Sequence, residues 1–126
     1  MKINQDTNVL LISTSLNLGG SEAQAVKLAN NLSNIEKKIH FITLKEGGIL
    51  KNHLSKEIKI TEYNLYAKSN KKFFPKLRST IWFFIASFRL RKRIKNQKIT
   101  IISFLFHASF FGFIASVGNK NVKHIV

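Results

Sequence analysis

The sequence contains no cysteine and only one proline among its 126 residues. Without a thiol, the chain can form no disulfide, no thiolate zinc site and no cysteine nucleophile. Residues 1–9 are polar and lack the apolar core of a secretory signal, so we expect no such signal. No spacing of histidine and acidic residues suggests a metal site, and we expect neither a bound metal nor a resident cofactor.

The second half of the chain lacks acidic residues entirely. All six Asp and Glu lie in residues 1–62 beside eight lysines, whereas residues 63–126 carry thirteen Lys or Arg. The formal net charge is +15. Because a field of one sign attracts polyanions, the expected partners are anionic lipid headgroups, phosphorylated acceptors or nucleic acid.

Short apolar runs alternate with segments of helical periodicity along the chain. Hydrophobic residues make up 44% of the sequence, which is enough for one core, so we expect a single domain over residues 1–126. The pattern predicts strands over 9–14, 39–44, 58–63, 99–104 and 122–126, and helices over 21–32, 49–55, 76–98 and 107–117. This order predicts an α/β fold, a Rossmann-like parallel sheet of about five strands with helices on both faces.

A glycine pair follows the first predicted strand and opens the first predicted helix. Gly19 and Gly20 carry no side chain, so a phosphate or sugar can approach the backbone and the N–H groups of the helix start. Ser21 is predicted to cap this helix, and Glu22 can accept a hydrogen bond from a ligand hydroxyl. The alternatives are a simple tight turn and a carboxylate that only stabilises the helix dipole.

A second group of polar residues surrounds the end of the fourth predicted strand. Ligands of open α/β sheets bind at the carboxyl ends of strands, so Ser103, His107 and Ser109 are candidate site residues. His107 can position a ligand hydroxyl or take its proton, which makes it the candidate catalytic residue. A buried structural histidine is the alternative. His40, His53 and His124 show no partner pattern.

Aromatic and basic residues are concentrated in the long helix predicted over 76–98 and just before it. Aromatic side chains settle at membrane interfaces and basic ones attract anionic headgroups. This combination predicts a membrane-binding patch made of Phe74, Trp82, Phe83, Arg89, Arg91, Lys92 and Arg93. The alternative is a core helix with a solvated basic end.

Residues 99–118 form a stretch of twenty residues without Asp, Glu, Lys or Arg. Its length would permit a transmembrane span. His107, four hydroxyl residues and two glycines within it favour a buried strand followed by a buried helix instead.

Three segments in this order resemble the N-terminal domain of family 4-like glycosyltransferases. The first, residues 12–32, combines a strand, a Gly-Gly pair, a glutamate and an apolar helix ending in Leu-Ala-Asn-Asn-Leu. The second is the strand and Gly-Gly turn at 41–50, and the third is the strand, His-containing loop and helix at 101–112, continuing to 126. The resemblance implies the first half of a GT-B fold, in which two Rossmann-like domains face each other across a cleft.

By this resemblance the chain binds the acceptor in transfer of a sugar from a nucleotide sugar to a lipid-linked or cell-surface polysaccharide acceptor. The C-terminal donor-binding domain is expected to be absent, so a second chain or domain would be a partner and the chain alone would be inactive. The expected location is cytoplasmic, peripheral at the inner face of the cell membrane. The alternatives are a non-enzymatic basic module that binds nucleic acid or anionic membrane, and a degenerate remnant. Nucleic acid is the less favoured partner, because no recognition motif is present.

Overall fold

The computed structural model describes residues 8–35, 37–65 and 75–126. In these ranges strands and helices alternate, as the sequence pattern predicts. The strands are β1 (Val9–Ser13), β2 (Ile39–Thr43), β3 (Lys59–Glu62), β4 (Ile99–Ser103) and β5 (Val122–Ile125). The helices are α1 (Gly20–Asn34), α2 (Pro75–Ile94) and α3 (Phe106–Ser116), with a short 3-10 helix at Ile49–His53.

The five strands form one parallel sheet in the order β3-β2-β1-β4-β5. The most apolar strand, β1, lies at its centre, where Leu11 is opposite Phe41 of β2 and Ile102 of β4. All residues of β1 and β2 are buried, which explains why both read as continuous apolar runs rather than alternating ones. The predicted α/β class and parallel five-stranded sheet are confirmed.

Helices cover both faces of the sheet, each over its own hydrophobic cluster. On one face, α2 and α3 bury Leu90, Ile94 and Phe111 against residues of β1, β2 and β4 such as Leu10 and Ile101. On the other face, α1 and the 3-10 helix cover a second cluster, which includes Val26, Ala29, Leu11, Phe41 and Leu50. Since α1 lies on one face and α3 on the other, the chain leaves β1 and β4 in opposite directions.

The short helix predicted over 49–55 is present as a 3-10 helix at Ile49–His53. Two other local details of the sequence prediction are wrong. Helix α2 ends at Ile94 rather than at residue 98, and Asn96 then adopts a φ of 69°, a left-handed conformation that terminates helices. The N-cap of α1 is Gly19 without any side-chain cap, while the Ser21 hydroxyl donates to Glu22 instead.

In the part of the chain that the structure describes, no helix combines the length and apolar character needed to cross a bilayer. The charge-free stretch over 99–118 is divided between β4 and α3, and both elements bury side chains in the core. Its high hydropathy is therefore that of a buried strand followed by a helix packed on the sheet.

His40 is a buried polar residue inside β2, and it has a partner that the sequence did not reveal. Its Nε2 lies 2.7 Å from Oγ1 of Thr61 on the neighbouring strand β3. Burial, reinforced by the positive charge of Lys59, lowers the pKa of His40 from 6.5 to about 4. The folded protein therefore holds this imidazole in its neutral form.

We expect the free energy of unfolding of the protein to fall as the pH falls below the pKa of an ordinary histidine. Above about pH 6.5 the His40 ring is neutral in both the folded and the unfolded chain, whereas below it only the unfolded chain takes up the proton until about pH 4. Between pH 7 and 5 the free energy of unfolding should drop by about 1 to 2 kcal/mol through this residue. Urea unfolding across this pH range measures the drop.

Two variants test whether His40 causes this loss. His40→Gln keeps an amide that can bond Thr61 but does not titrate, so its pH dependence should be smaller. His53→Gln removes an exposed histidine and serves as the matched control. Equal pH dependence in the wild type and His40→Gln would show that His40 is not the cause.

Candidate functional site

The candidate site lies at the carboxyl edge of the sheet, where β1 and β4 are adjacent. The loop after β1 leads to α1 on one face, and the loop after β4 leads to α3 on the opposite face. The two loops therefore diverge and leave a crevice between them, at the switch point where open α/β sheets bind ligands. We call the two loops and the first turns of α1 and α3 the carboxyl-edge site.

The loop after β1 is held in place by the neighbouring loop after β2. The backbone N–H of Leu50 donates to the Leu16 carbonyl at 2.9 Å, and that of Lys45 donates to the Thr14 carbonyl at 2.9 Å. Gly48 lies directly against the Leu16 backbone, with a φ of 116° that only glycine adopts readily. The Gly-Gly turn over 47–48 thus fixes the loop that presents Gly19 and Gly20.

The start of α1 is open to an approaching ligand. Gly19 is the extended N-cap residue, and its carbonyl accepts the N–H of Ala23 at 2.9 Å. Gly20 is exposed, and a Cβ placed on it would meet no atom of the described residues within 4 Å. The backbone N–H groups of the first turn therefore carry no side-chain cap, contrary to the prediction that Ser21 caps this helix.

Glu22 brings a negative charge to this helix start. Its Oε2 accepts the Ser21 hydroxyl at 2.8 Å, and the carboxylate folds over Gly19, such that a Cβ on Gly19 would lie 3.1 Å from the Glu22 Cδ. The carboxylate is stabilised there by the positive end of the α1 dipole. Because it already neutralises that end, the geometry favours a neutral hydroxyl donor at this position over a phosphate.

His107 lies across the crevice, in the first turn of α3. It is exposed, and its ring centroid is 5.8 Å from that of Phe106. Leu105, the residue that begins α3, has a φ of 70° and a ψ of 162°, a conformation rarely adopted by any residue except glycine. This sharp turn presents an imidazole next to the exposed side chains of Leu105 and Phe106, the latter 80% exposed.

Ser103 and Ser109 are brought together, but inside the protein. Ser103 is 3% exposed, and its hydroxyl lies 3.3 Å from Oγ of Ser109 and 2.7 Å from Nε2 of His124. These contacts tie β4, α3 and β5 together. Burial lowers the pKa of His124. Ser103 has a structural role, because its hydroxyl is already hydrogen-bonded to two side chains inside the fold. Its partner His124 was not among the residues predicted from the sequence.

His124 fits into this cluster because a glycine faces it. A Cβ on Gly112 of α3 would lie 2.8 Å from Nε2 of His124 and 3.2 Å from Cγ2 of Ile101. The sequence did contain a signal for this contact. Ser103 and His124 are 21 residues apart, the same separation as between His40 and Thr61. Only the parallel register of the strands, however, makes that separation a contact.

The residues predicted as a membrane patch are divided by the structure. Trp82, Arg89, Lys92 and Arg93 are exposed, and Arg91 is half-buried, whereas Phe74 lies outside the described residues.

Phe83 does not belong to the patch, because it is 8% exposed and packs edge-on against Phe111 at 5.3 Å between ring centroids. Helical periodicity points this residue at the sheet and leaves its neighbours at the surface.

The basic end of α2 is also divided between two sides of the helix. Burial raises the pKa of Tyr63 to about 12, and the charges of Arg93 and Arg89 act in the opposite direction. The positive charges of these two residues are thus close enough to Tyr63 to act on its hydroxyl. Arg91 instead lies on the α3 side, next to Gly118.

An exposed aromatic surface joins α2 to α3, and the sequence analysis did not identify its α3 half. Phe84 of α2 and Phe110 of α3 are in edge-to-face contact, with ring centroids 6.2 Å apart. Further exposed apolar side chains extend this surface on both helices. We call it the aromatic face: Ile81, Phe84, Phe88, Phe110, Phe113 and Val117. Contiguous exposed apolar surfaces of this kind mark protein or membrane contact sites.

Across the described ranges, no three His, Asp or Glu side chains lie close enough together to hold a metal ion. The chemistry available at the carboxyl-edge site is thus a carboxylate, an imidazole and the N–H groups of two helix starts. No protein-family model matches the chain, and no curated protein matches it either.

Proposed function

We propose that this chain is the acceptor-binding domain of a GT-B glycosyltransferase, acting on a lipid-linked saccharide. The observation that carries the proposal is the carboxyl-edge site itself, in which Glu22 and His107 lie in the first turns of the two helices that leave β1 and β4 on opposite faces. The resemblance of residues 12–32, 41–50 and 101–126 to the family 4-like domain supports the same assignment. The nucleotide-sugar donor would be bound mainly by a second domain or chain facing this edge.

The two polar side chains have complementary roles in this proposal. The Glu22 carboxylate accepts a hydrogen bond from one hydroxyl of the acceptor sugar and orients it. The His107 imidazole accepts the proton of the hydroxyl that attacks the anomeric carbon of the donor. The new carbon–oxygen bond forms as the bond from that carbon to the nucleoside diphosphate breaks, and the diphosphate leaves with its electron pair.

Two surface features support the proposal that the acceptor carries a lipid. The aromatic face offers apolar side chains to the bilayer interface, and the basic residues of α2 lie at one end of it. Leu105 and Phe106 also lie exposed beside His107, where a prenyl chain can contact them. Together they would hold the protein at the surface of the membrane in which such an acceptor resides.

The proposal is tested by binding of short-chain prenyl diphosphate sugars that differ in their first sugar. Amide ¹⁵N–¹H shifts of the 14.4 kDa chain report binding residue by residue. We expect at least one of these sugars to shift the amides of Gly20, Glu22 and His107. If none does so, or if the shifted amides lie elsewhere, the assignment of this site is wrong.

A variant at Gly20 makes the same test sharper. Gly20→Leu adds a side chain where none of the protein atoms that the structure describes lies within 4 Å of its Cβ, so the fold should be unaffected while the ligand's approach is blocked. We expect affinity to fall at least tenfold, about 1.4 kcal/mol. Gln24→Leu adds leucine at an exposed position of the same helix and should bind as the wild type does.

A further inference from the structure

A hollow of about 440 Å³ lies at the opposite, amino edge of the sheet. It is formed where the C-terminal ends of α2 and α3 meet the start of β5. Four of its lining side chains are basic, Arg91, Lys92, Lys95 and Lys120, and none of the described residues that line it is acidic. We call it the basic hollow.

The positive charge of the basic hollow exceeds what the two helix ends require. Each helix C-terminus carries about half a negative charge, which basic side chains stabilise. Polar groups of the protein already satisfy part of the α2 end, since Asn119 Nδ2 donates to the Ile94 carbonyl at 3.1 Å and the Gln97 N–H donates to it at 3.1 Å. Four full charges therefore leave a surplus of positive charge, which no acidic side chain among the described lining residues balances.

The walls of the hollow are held in a fixed arrangement. Gly118 has a φ of 75°, and a Cβ on it would lie 2.8 Å from an Nη of Arg91, so the guanidinium packs directly on this glycine. Asn119 bonds across to α2 through its side-chain nitrogen, and its Oδ1 accepts the Asn121 N–H at 3.1 Å. The loop that carries Lys120 is thereby fastened to the end of α2.

One wall of the hollow is apolar and continues into the aromatic face. Phe88 lines the hollow and is half-exposed, and Phe113 and Val117 of α3 belong to the same exposed surface. A ligand that fits both regions has an anionic head and an apolar body. A soluble phosphate or a nucleic acid backbone would use the cations but leave this apolar surface in water.

We propose that the basic hollow binds the phosphate headgroup of an anionic phospholipid while the aromatic face rests on the acyl region of the same bilayer. This site is distant in the fold from the carboxyl-edge site, and it does not depend on glycosyl transfer. The protein would lie on the membrane with the ends of α2 and α3 toward the headgroups. Bilayer attachment and acceptor binding would then use different residues.

The test is flotation of the whole chain with phosphatidylcholine vesicles prepared with and without phosphatidylglycerol. Lys95→Gln with Lys120→Gln removes two exposed cations of the hollow, and we expect roughly fivefold weaker binding to the anionic vesicles per lysine. Lys37→Gln with Lys56→Gln removes the same charge from exposed positions elsewhere and should change binding less than about twofold. Equal losses in the two double variants would mean that net charge alone drives binding and would overturn the proposal.

Two further measurements separate the lipid from other anions. Phe88→Ser should weaken vesicle binding several-fold, because the apolar contact is lost. Inorganic phosphate, added at the concentration of the lipid headgroup, should not release the protein from the vesicles. Release by phosphate would assign the hollow to a free anion, and salt-sensitive binding to an oligonucleotide without vesicle binding would assign it to nucleic acid.

Discussion

Replacing Gly48 with alanine is expected to lower the free energy of unfolding by about 3 kcal/mol. Two costs combine at this position. The backbone φ of 116° is strained for any residue with a Cβ, and that Cβ would press on the Leu16 backbone, 2.8 Å from the Asn17 nitrogen. Since whole domains are stable by only about 5 to 15 kcal/mol, much of the stability would be lost. Urea unfolding followed by circular dichroism measures it.

Two other glycines separate strain from steric overlap. Gly47 has a φ of 78° but open space around its Cβ position, so Gly47→Ala should cost about 1 kcal/mol from strain alone. Gly20 has neither constraint, and Gly20→Ala should stabilise by up to about 0.5 kcal/mol. A Gly48→Ala protein no less stable than Gly47→Ala would show that the loop after β1 is not held by this contact.

The second large effect is expected at Phe111, in the middle of α3. This side chain is fully buried, and its ring lies 5.3 Å from that of Phe83 and 5.5 Å from that of Tyr63. It thereby joins α3, α2 and the end of β3. Phe111→Ala removes a large buried ring and leaves a cavity, so the free energy of unfolding should fall by about 4 kcal/mol.

Phe113 provides a matched control two residues further along the same helix. It is 56% exposed, so Phe113→Ala should cost less than about 1 kcal/mol while removing part of the aromatic face. Thermal and urea unfolding of both variants measure the difference. Comparable losses in the two proteins would mean that Phe113 is covered in solution, for example by a second copy of the chain.

Much of the fold could be predicted because its local signals agree with its tertiary structure. The strands at 9–13 and 39–43 are buried on both faces, and their continuous apolar runs identified them directly. The Gly-Gly pairs at 19–20 and 47–48 marked the two loops that meet at Leu16. The boundary of α2 was missed because the end of this helix depends on a tertiary contact, the hydrogen bond from Asn119 to the Ile94 carbonyl, twenty-five residues apart.

The candidate sites were less predictable, because they depend on which residues meet across strands and helices. Ser103 and His107 are four residues apart, yet one is buried against His124 and the other is exposed at the start of α3. Similarly, Phe83 and Phe84 are adjacent in an aromatic run, but the first enters the core and the second the surface. The pattern of residue types along a helix does not specify how that helix is rotated about its axis relative to its neighbours.

The sequence by itself determined the kind of layers that this protein forms and the place of its loops. Hydrophobic period and glycine position act within a few residues, so they define strands, helices and the edge of the sheet where the chain turns. The tertiary structure alone decided the strand order, the pairing of His124 with Ser103, and the placement of Arg91 and Lys120 in the lining of the same basic hollow. These contacts join residues far apart in the chain, and they exist only once the parallel register and the packing of α2 against α3 are set.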